Sequence, residues 1–245
     1  MRQRRRTVNK RSSLIARGLR GLLKGLSIFV VGICGVVVAL RWIDPPTSAF
    51  MLRDRVSAFV ADDRSYEFRQ EWRDWDEISL NAALAVVAAE DQQFPHHHGF
   101  DFKQIDKALD DRRQGKRSRG ASTISQQVVK NLFLWPAQSW LRKGAEAALT
   151  IVVEATWPKQ RILEIYLNIA EFGKGTFGVE AASQRFFRKN AAGLSPAEAA
   201  LLATALPSPR RFKVNAATPY MKQRQAWVER QMRLLGGTAY VSNLD

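Results

Sequence analysis

The chain has 245 residues and a formal net charge of +15, with 38 Lys and Arg against 23 Asp and Glu, and 46% of its residues are apolar. A chain of this length and composition folds into one substantial domain or two small ones, which excludes a wholly disordered protein. Its single cysteine excludes an intramolecular disulfide, and three adjacent histidines are poor material for a closed zinc site.

The positive charge is concentrated at the N-terminus. Residues 1–24 contain nine Arg and Lys and no acidic residue, whereas the rest of the chain holds 29 basic residues against 23 acidic ones. A nucleic-acid-binding domain carries its basic surface on the folded part. The charge therefore indicates a basic arm, and nucleic acid is not expected as a partner.

An apolar segment follows this arm. Gly25–Leu40 is an uncharged run flanked by Lys24 on one side and by Arg41 and Trp42 on the other. As a helix it is about 24 Å long, and the flanking cations and Trp reach the interfaces of a bilayer whose core is about 30 Å thick. The pattern predicts a single transmembrane anchor over residues 22–43.

The basic flank predicts the orientation of the anchor, because such flanks stay on the cytoplasmic side. We expect residues 1–24 to be a cytoplasmic arm and residues 44–245 to lie outside the membrane. A cleaved signal peptide is the alternative interpretation, with a weak small-residue site at Val37-Val38-Ala39. The length of the basic arm favours the retained anchor.

Beyond the anchor the hydrophobic pattern is helical. Apolar residues recur every three or four positions, which predicts an all-α domain of eight or nine helices. The predicted helices cover Leu80–Phe94, Phe102–Leu109, Ile124–Leu134, Trp140–Trp157, Ile162–Ala170, Phe177–Phe187, Ala197–Leu206 and Tyr220–Leu235. Ser195 and Glu198 form a capping box before the seventh of these. The basic segment Asp110–Gly120 is predicted to be a mobile loop.

The first candidate site lies where an apolar helix ends in Glu90 and Asp91, shortly before Pro95. A carboxylate beside apolar side chains and a second acid is expected to have a raised pKa, as general acid or base catalysis requires. A solvated acidic helix end is the alternative. The histidines at 96–98 cannot all face one metal ion on regular structure, so a zinc site is not expected here.

The second candidate is a polar helix face. Thr123, Gln127, Lys130 and Asn131 fall within one sector of a helix whose other side is apolar. Such a face offers hydroxyl, amide and ammonium donors to a sugar or a phosphate. An ordinary amphipathic helix with a solvated face explains the same pattern.

The third candidate is a charge cluster. Arg142 and Lys143 stand four and three positions before Glu146, so one carboxylate lies among cations on one helix face. The cluster fits phosphate binding beside a second functional carboxylate. A surface ion-pair cluster that contributes little stability is the alternative.

Taken in chain order, these segments resemble the peptidoglycan glycosyltransferases, specifically the monofunctional membrane-anchored type. The matching stretches are Glu90–Gly99, Gly120–Asn131, Arg142–Glu146, Arg161–Asn168, Gly178–Ala182 and Leu194–Leu202. Each motif alone is modest evidence, whereas their shared order makes a chance match improbable. One departure is Phe186, where the family often has tyrosine.

The resemblance implies a lysozyme-like helical glycosyltransferase domain that polymerises lipid II into peptidoglycan for cell wall biogenesis. Transfer in this family is processive and inverting, with undecaprenyl pyrophosphate as the leaving group. The implied location is the inner membrane, with residues 44–245 periplasmic. The implied partners are lipid II, the lipid-linked glycan strand and the membrane, with other cell-wall synthesis proteins as candidates.

The resemblance also implies roles for individual residues. Glu90 matches the general base of the family, and Glu146 matches its second essential acid. The implied substrate-binding residues are Asp91, Phe94, His97, Thr123, Gln127, Lys130, Asn131, Arg142 and Lys143. Among these, Lys130, Arg142 and Lys143 match the cations that contact phosphate. A Mg or Mn ion at the pyrophosphate is a further expectation of the family.

Two other functions remain open from the sequence. A lytic enzyme on the same helical scaffold would use Glu90 as general acid, although it would not need the cations at Lys130, Arg142 and Lys143. A membrane-anchored scaffold for the division or elongation machinery would leave the carboxylates merely solvated. Activity of the isolated protein separates the enzymes from the scaffold.

Overall fold

The structure, a computed structural model, describes residues 2–116, 120–137 and 139–245, and it divides into two compact units, Met1–Ile43 and Asp44–Asp245. The first unit is one long helix, α1 (Arg2–Ala39). Its stretch Arg20–Ala39 is long and apolar enough to cross a membrane, with a mean hydropathy of 2.4. Apolar side chains such as Leu22 and Ile28 are largely exposed along it. The helix therefore fits a membrane anchor and coincides with most of the predicted span.

The second unit is helical, as predicted, with a small sheet at one side. Its helices are α2 (Ala49–Val60), α3 (Leu80–Glu90), α4 (Phe102–Arg113), α5 (Ile124–Phe133), α6 (Trp140–Thr156), α7 (Lys159–Ile169), α8 (Val179–Phe187), α9 (Pro196–Ala205), α10 (Pro219–Leu234) and α11 (Ala239–Ser242). Its strands are β1 (Arg69–Gln70), β2 (Glu171–Gly173) and β3 (Thr176–Phe177). Short 3-10 turns connect several of these elements.

Helix α3 is the core element of this unit. Its residues from Ala82 to Ala88 are all buried, and it packs against α7, α9, α10 and α11. Ser79 begins the helix by accepting a hydrogen bond from the backbone N–H of Asn81. The predicted continuation to Phe94 is wrong, because the backbone of Asp91 leaves the helical conformation, with ψ at 78°, and Pro95 stands in the following 3-10 turn.

The small sheet was not predicted from the sequence. Its strand order is β1-β3-β2, with β1 parallel and β2 antiparallel to β3. Strands of two or three residues are too short to show a period of two. Gly175, at a φ of +69°, allows the turn between β2 and β3 to pass close to the Glu67 carbonyl oxygen, where a Cβ would lie only 2.2 Å away.

Helix ends account for two more differences. Helix α4 continues through Arg113, so the predicted mobile loop is wrong for residues 110–113, and residues 117–119 lie outside the described part of the chain. Residue Phe177, predicted as the start of a helix, belongs to β3, and α8 begins after Gly178. The capping box of Ser195 and Glu198 is confirmed at the start of α9.

Candidate active site

Glu90 is the last residue of α3 and is half-buried. The amide of Gln127, on α5, donates from Nε2 to Glu90 Oε2 at 3.0 Å. The hydroxyl of Tyr166, on α7, donates to Oε1 of the same amide at 3.2 Å. Because a buried Tyr166 hydroxyl occupies the amide oxygen, the NH2 group of Gln127 faces the carboxylate. Three helices therefore hold the Glu90 side chain in one orientation.

The surroundings of Glu90 raise its pKa. Burial is the main cause, and it exceeds the opposite effects of the Gln127 hydrogen bond and of the positive charges of Arg224 and Lys130. Arg224 reaches this point from α10 and donates to the carbonyl of Ala89 at 3.2 Å. A carboxylate with a raised pKa is a better proton acceptor than a solvated one. Glu90 is therefore suited to proton transfer.

A second, buried network surrounds Asp91. His97 Nε2 lies 3.0 Å and 2.9 Å from the two carboxylate oxygens of Asp91, and the backbone N–H of Gly99 donates to Nδ1 at 3.1 Å. In neutral His97 the proton is therefore on Nε2, which donates to Asp91. Asp91 also accepts the backbone N–H of Ile124 at 2.9 Å, at the start of α5. Asp91 thus joins the loop after α3 to the N-terminus of α5.

Thr123 and Phe94 complete this network. Thr123 is the N-cap of α5 and forms a capping box with Gln126, while its hydroxyl donates to the carbonyl of Gly99 at 2.7 Å. The fully buried ring of Phe94 packs edge-on against His97, with the ring centroids 6.1 Å apart. These contacts shape the loop that follows Glu90. Direct contact of Asp91, Phe94, His97 or Thr123 with a substrate stays a prediction.

Lys130 lies on α5 one turn beyond Gln127 and is half-buried. Burial lowers its pKa, and so do the positive charges of Arg142 and Lys143, whereas the carboxylates of Glu146 and Glu90 act in the opposite direction. The ammonium group therefore lies in the electrostatic field of both predicted catalytic acids. Asn131, the next residue of α5, is also half-buried.

The carboxylate of Glu146 is buried on α6 and bound by two cations. Arg142 Nη1 donates to Glu146 Oε2 at 2.5 Å, and Lys143 Nζ donates to Oε1. The Arg142 side chain is 12% exposed and that of Lys143 is 44% exposed. Two cations on one buried carboxylate leave a net positive charge, and Lys143 presents part of it to solvent. The cluster is therefore a partly buried cationic site and not the solvated ion-pair cluster of the alternative interpretation.

The structure brings six of the predicted residues into one electrostatic neighbourhood. They are Glu90, Gln127, Lys130, Arg142, Lys143 and Glu146. Sequence reasoning missed the roles of Tyr166 and Arg224, which come from α7 and α10. Tyr166 stands in a motif of the resemblance, which could have marked it, whereas the residues around Arg224 carry no such signal.

The side chains that the structure describes do not form a metal site of their own. In the part of the chain that the structure describes, no three His, Cys, Asp or Glu side chains come together in a way that could hold an ion. Both oxygens of Glu146 are already bound by cations. The expected Mg or Mn ion at a pyrophosphate stays a prediction.

Comparison with known proteins gives a consistent result. Residues 57–233 match the Transglycosylase family. The chain is 51% identical over 225 residues to the biosynthetic peptidoglycan transglycosylase of Xanthomonas axonopodis pv. citri, covering 92% of each chain. It is 53% identical over 226 residues to the protein of that name from Citrobacter koseri, covering 91% of this chain and 93% of the relative. The Klebsiella oxytoca relative of that name is 53% identical over 233 residues.

The hydrogen bond from Gln127 provides a test of this geometry. The Gln127→Leu substitution removes a donor to the charged form of Glu90, so we expect the pKa of Glu90 to rise further. Tyr166→Phe removes only the hydroxyl that orients the amide, and a smaller rise is expected. The measurement is the pH dependence of glutamate carboxyl 13C chemical shifts, with Glu90→Gln identifying the resonance.

Gln104→Leu, an exposed position on α4, is the matched control and should leave the pKa of Glu90 as it is. An unchanged pKa in Gln127→Leu would contradict the interaction.

Proposed function

The chain belongs to the Transglycosylase family, and we propose that it polymerises glycan strands from lipid II, with Glu90 as the general base. Its lysozyme-like helical domain and its N-terminal apolar helix suit an enzyme of cell wall synthesis that acts on a membrane-held substrate. One observation carries the proposal. Lys130 lies one turn beyond the Gln127 that binds Glu90, and it interacts electrostatically with the Glu90 carboxylate on one side and with Arg142, Lys143 and Glu146 on the other.

This arrangement matches the two needs of the reaction. A sugar hydroxyl is a weak nucleophile, so its attack requires a base, and pyrophosphate leaves readily when positive charge receives it. In the proposed step, Glu90 accepts the proton of the acceptor's 4-hydroxyl as that oxygen bonds to the anomeric carbon of the lipid-linked donor strand. The bond from this carbon to the pyrophosphate breaks, with inversion. Lys130, Arg142 and Lys143 stabilise the charge of the departing pyrophosphate.

We assign Glu146 a supporting role at the cationic site. Its two oxygens each hold one cation, so it fixes Arg142 and Lys143 in place on α6. Without this carboxylate, two adjacent cations beside Lys130 would repel one another. Gln127 and Asn131 lie on the same face of α5, and we propose that they line the donor side of the site.

The cations also separate synthesis from lysis. A lytic enzyme needs Glu90 protonated as a general acid and has no use for three cations beside the leaving group. The half-buried Lys130 is costly to a protein that does not use it, because burial disfavours its charge. Release of fragments from purified peptidoglycan, without polymerisation of lipid II, would support the lytic function instead.

We propose that α1 anchors the enzyme in the inner membrane with residues 1–24 in the cytoplasm and residues 44–245 in the periplasm. The basic charge of the arm and the hydropathy of the helix support this orientation. Cell-wall synthesis proteins stay predicted partners.

The orientation is tested by protease treatment of intact spheroplasts. Before treatment, we expect the chain to be membrane-bound at its full mass. The protease should then digest the periplasmic domain and leave the cytoplasmic arm intact. A product that begins after residue 39 would instead indicate a cleaved signal peptide.

Substitution of the base gives the sharpest test of mechanism. Glu90→Gln keeps a carbonyl acceptor for Gln127 but cannot take a proton, so we expect kcat for lipid II polymerisation to fall by about 10²–10⁴-fold. Since the folded-state pKa of Glu90 is raised, its charge destabilises the fold above that pKa, and the variant should melt at an equal or higher temperature at pH 7. Glu77→Gln, on an exposed turn, is the control. Full activity of Glu90→Gln would refute the base assignment.

The cationic side is tested with Lys130→Met, which removes the ammonium group and keeps a flexible apolar chain. We expect kcat/KM to fall by about 10²–10³-fold with the fold intact. The acid limb of the plot of kcat/KM against pH should also move to higher pH, because the charge of Lys130 lowers the pKa of Glu90 and the substitution removes it. Lys222→Met, at an exposed position of α10, should leave both unchanged. A normal rate for Lys130→Met would remove its role at phosphate.

A further inference from the structure

The segment from Gln92 to Gly99 follows Glu90 in the chain and contacts the start of α5, where the Thr123 hydroxyl donates to the Gly99 carbonyl at 2.7 Å. It leaves α3 directly after Glu90 and Asp91, and it contains His97, which binds Asp91. Apart from the short 3-10 turn Phe94–His96 the segment has no regular structure, so contacts from neighbouring elements contribute to its position. The position of Glu90 therefore depends on what fixes this segment, which we call the base loop.

One contact to the base loop comes from the end of the chain. The hydroxyl of Tyr240, on α11, donates to the carbonyl of Gln92 at 2.8 Å. The ring of Tyr240 also packs edge-on against His96, with centroids 5.9 Å apart. Burial and the charge of Asp91 raise the pKa of Tyr240, so its hydroxyl keeps its proton at neutral pH and can donate.

A second contact holds the other end of the base loop. Lys159 Nζ, at the start of α7, donates to the carbonyl of His97 at 2.6 Å and to Glu154 Oε1 at 2.9 Å. The backbone N–H of Lys159 in turn donates to the carbonyl of Asp245. The final residues thus reach both ends of the base loop, at Gln92 through Tyr240 and at His97 through Lys159.

The segment that supplies Tyr240 is firmly docked. Val241 is fully buried and Leu244 is 8% exposed, and α11 packs against α3, the helix that carries Glu90. Residues 239–245 lie beyond the span 57–233 that matches the Transglycosylase family. These contacts are therefore additional to the motifs on which the resemblance rests.

We propose that Tyr240 is a positioning residue for the general base, acting through the Gln92 carbonyl and the base loop. This inference rests on the proposed function of Glu90. Tyr240 does not reach the substrate in this role. It keeps the base loop docked beside α3, which holds the Glu90 carboxylate at its hydrogen bond to Gln127.

The test is Tyr240→Phe in the full-length, membrane-bound enzyme, with lipid II as substrate. Loss of the hydroxyl frees the Gln92 carbonyl, and we expect kcat to fall by about tenfold while KM for lipid II changes less than about twofold, because misplacement of a catalytic group acts on turnover. A looser hydrogen bond from Gln127 raises the pKa of Glu90, as in Gln127→Leu, so the acid limb of the kcat/KM profile should move to higher pH.

Two further variants make the outcome decisive. Tyr220→Phe removes the hydroxyl of an exposed tyrosine on α10 and should behave as the unchanged protein. Tyr240→Ala removes the ring contact with His96 as well, and we expect a larger loss than in Tyr240→Phe. A merely structural role would reduce the amount of folded enzyme in Tyr240→Phe and would not move the acid limb.

The two proposals fail in different ways. If Glu90→Gln is inactive and Tyr240→Phe matches the unchanged protein in kcat and in its acid limb, the positioning role is wrong and the base assignment stands. If Glu90→Gln keeps full activity, the proposed mechanism fails and the positioning role fails with it.

Discussion

The site depends on one constraint, which is a carboxylate held at the end of a buried apolar helix. Burial disfavours the charge of Glu90, and the negative end of the α3 dipole adds to this effect. A fully paired charge would relieve the cost, but a carboxylate locked to Lys or Arg is a weaker base. The structure meets both demands with a neutral donor, Gln127, at 3.0 Å and with the positive charges of Arg224 and Lys130 nearby.

The same constraint explains the distribution of cations. Arg142 and Lys143 pair with Glu146, so they are fixed without neutralising Glu90. The charges of both Glu90 and Glu146 affect the pKa of Lys130. The proposed base and the cations therefore occupy one site in which different carboxylates serve the two tasks. Glu146 is the residue that makes this separation possible, because it takes up the direct pairing.

The sequence predicted the local features of this site and missed the long-range ones. The polar face of α5 and its position after Thr123 follow from helical spacing and capping. The raised pKa of Glu90 follows from the apolar composition of α3. Arg224 and Tyr240 are distant from Glu90 in the chain, and they donate to the carbonyls of Ala89 and Gln92 on either side of it. The spacing of residues around Arg224 and Tyr240 does not predict these contacts. The strands were not predicted because strands of two or three residues are defined by the strand they pair with and are too short to show an alternating pattern.

Helix α3 must both stabilise the fold and carry a group that destabilises it. Between the ordinary pKa of a glutamate and the raised value, folded protein binds more protons than unfolded protein, so the contribution of Glu90 to stability falls as the pH rises through this window. Burial of Leu84, Val86 and Val87 opposes this cost, at about 1.5–3 kcal/mol for each large side chain. A base attached to a surface loop would spare the protein this cost, but it would lose the dehydration that raises its pKa. The core position of α3 is thus what gives Glu90 its basicity.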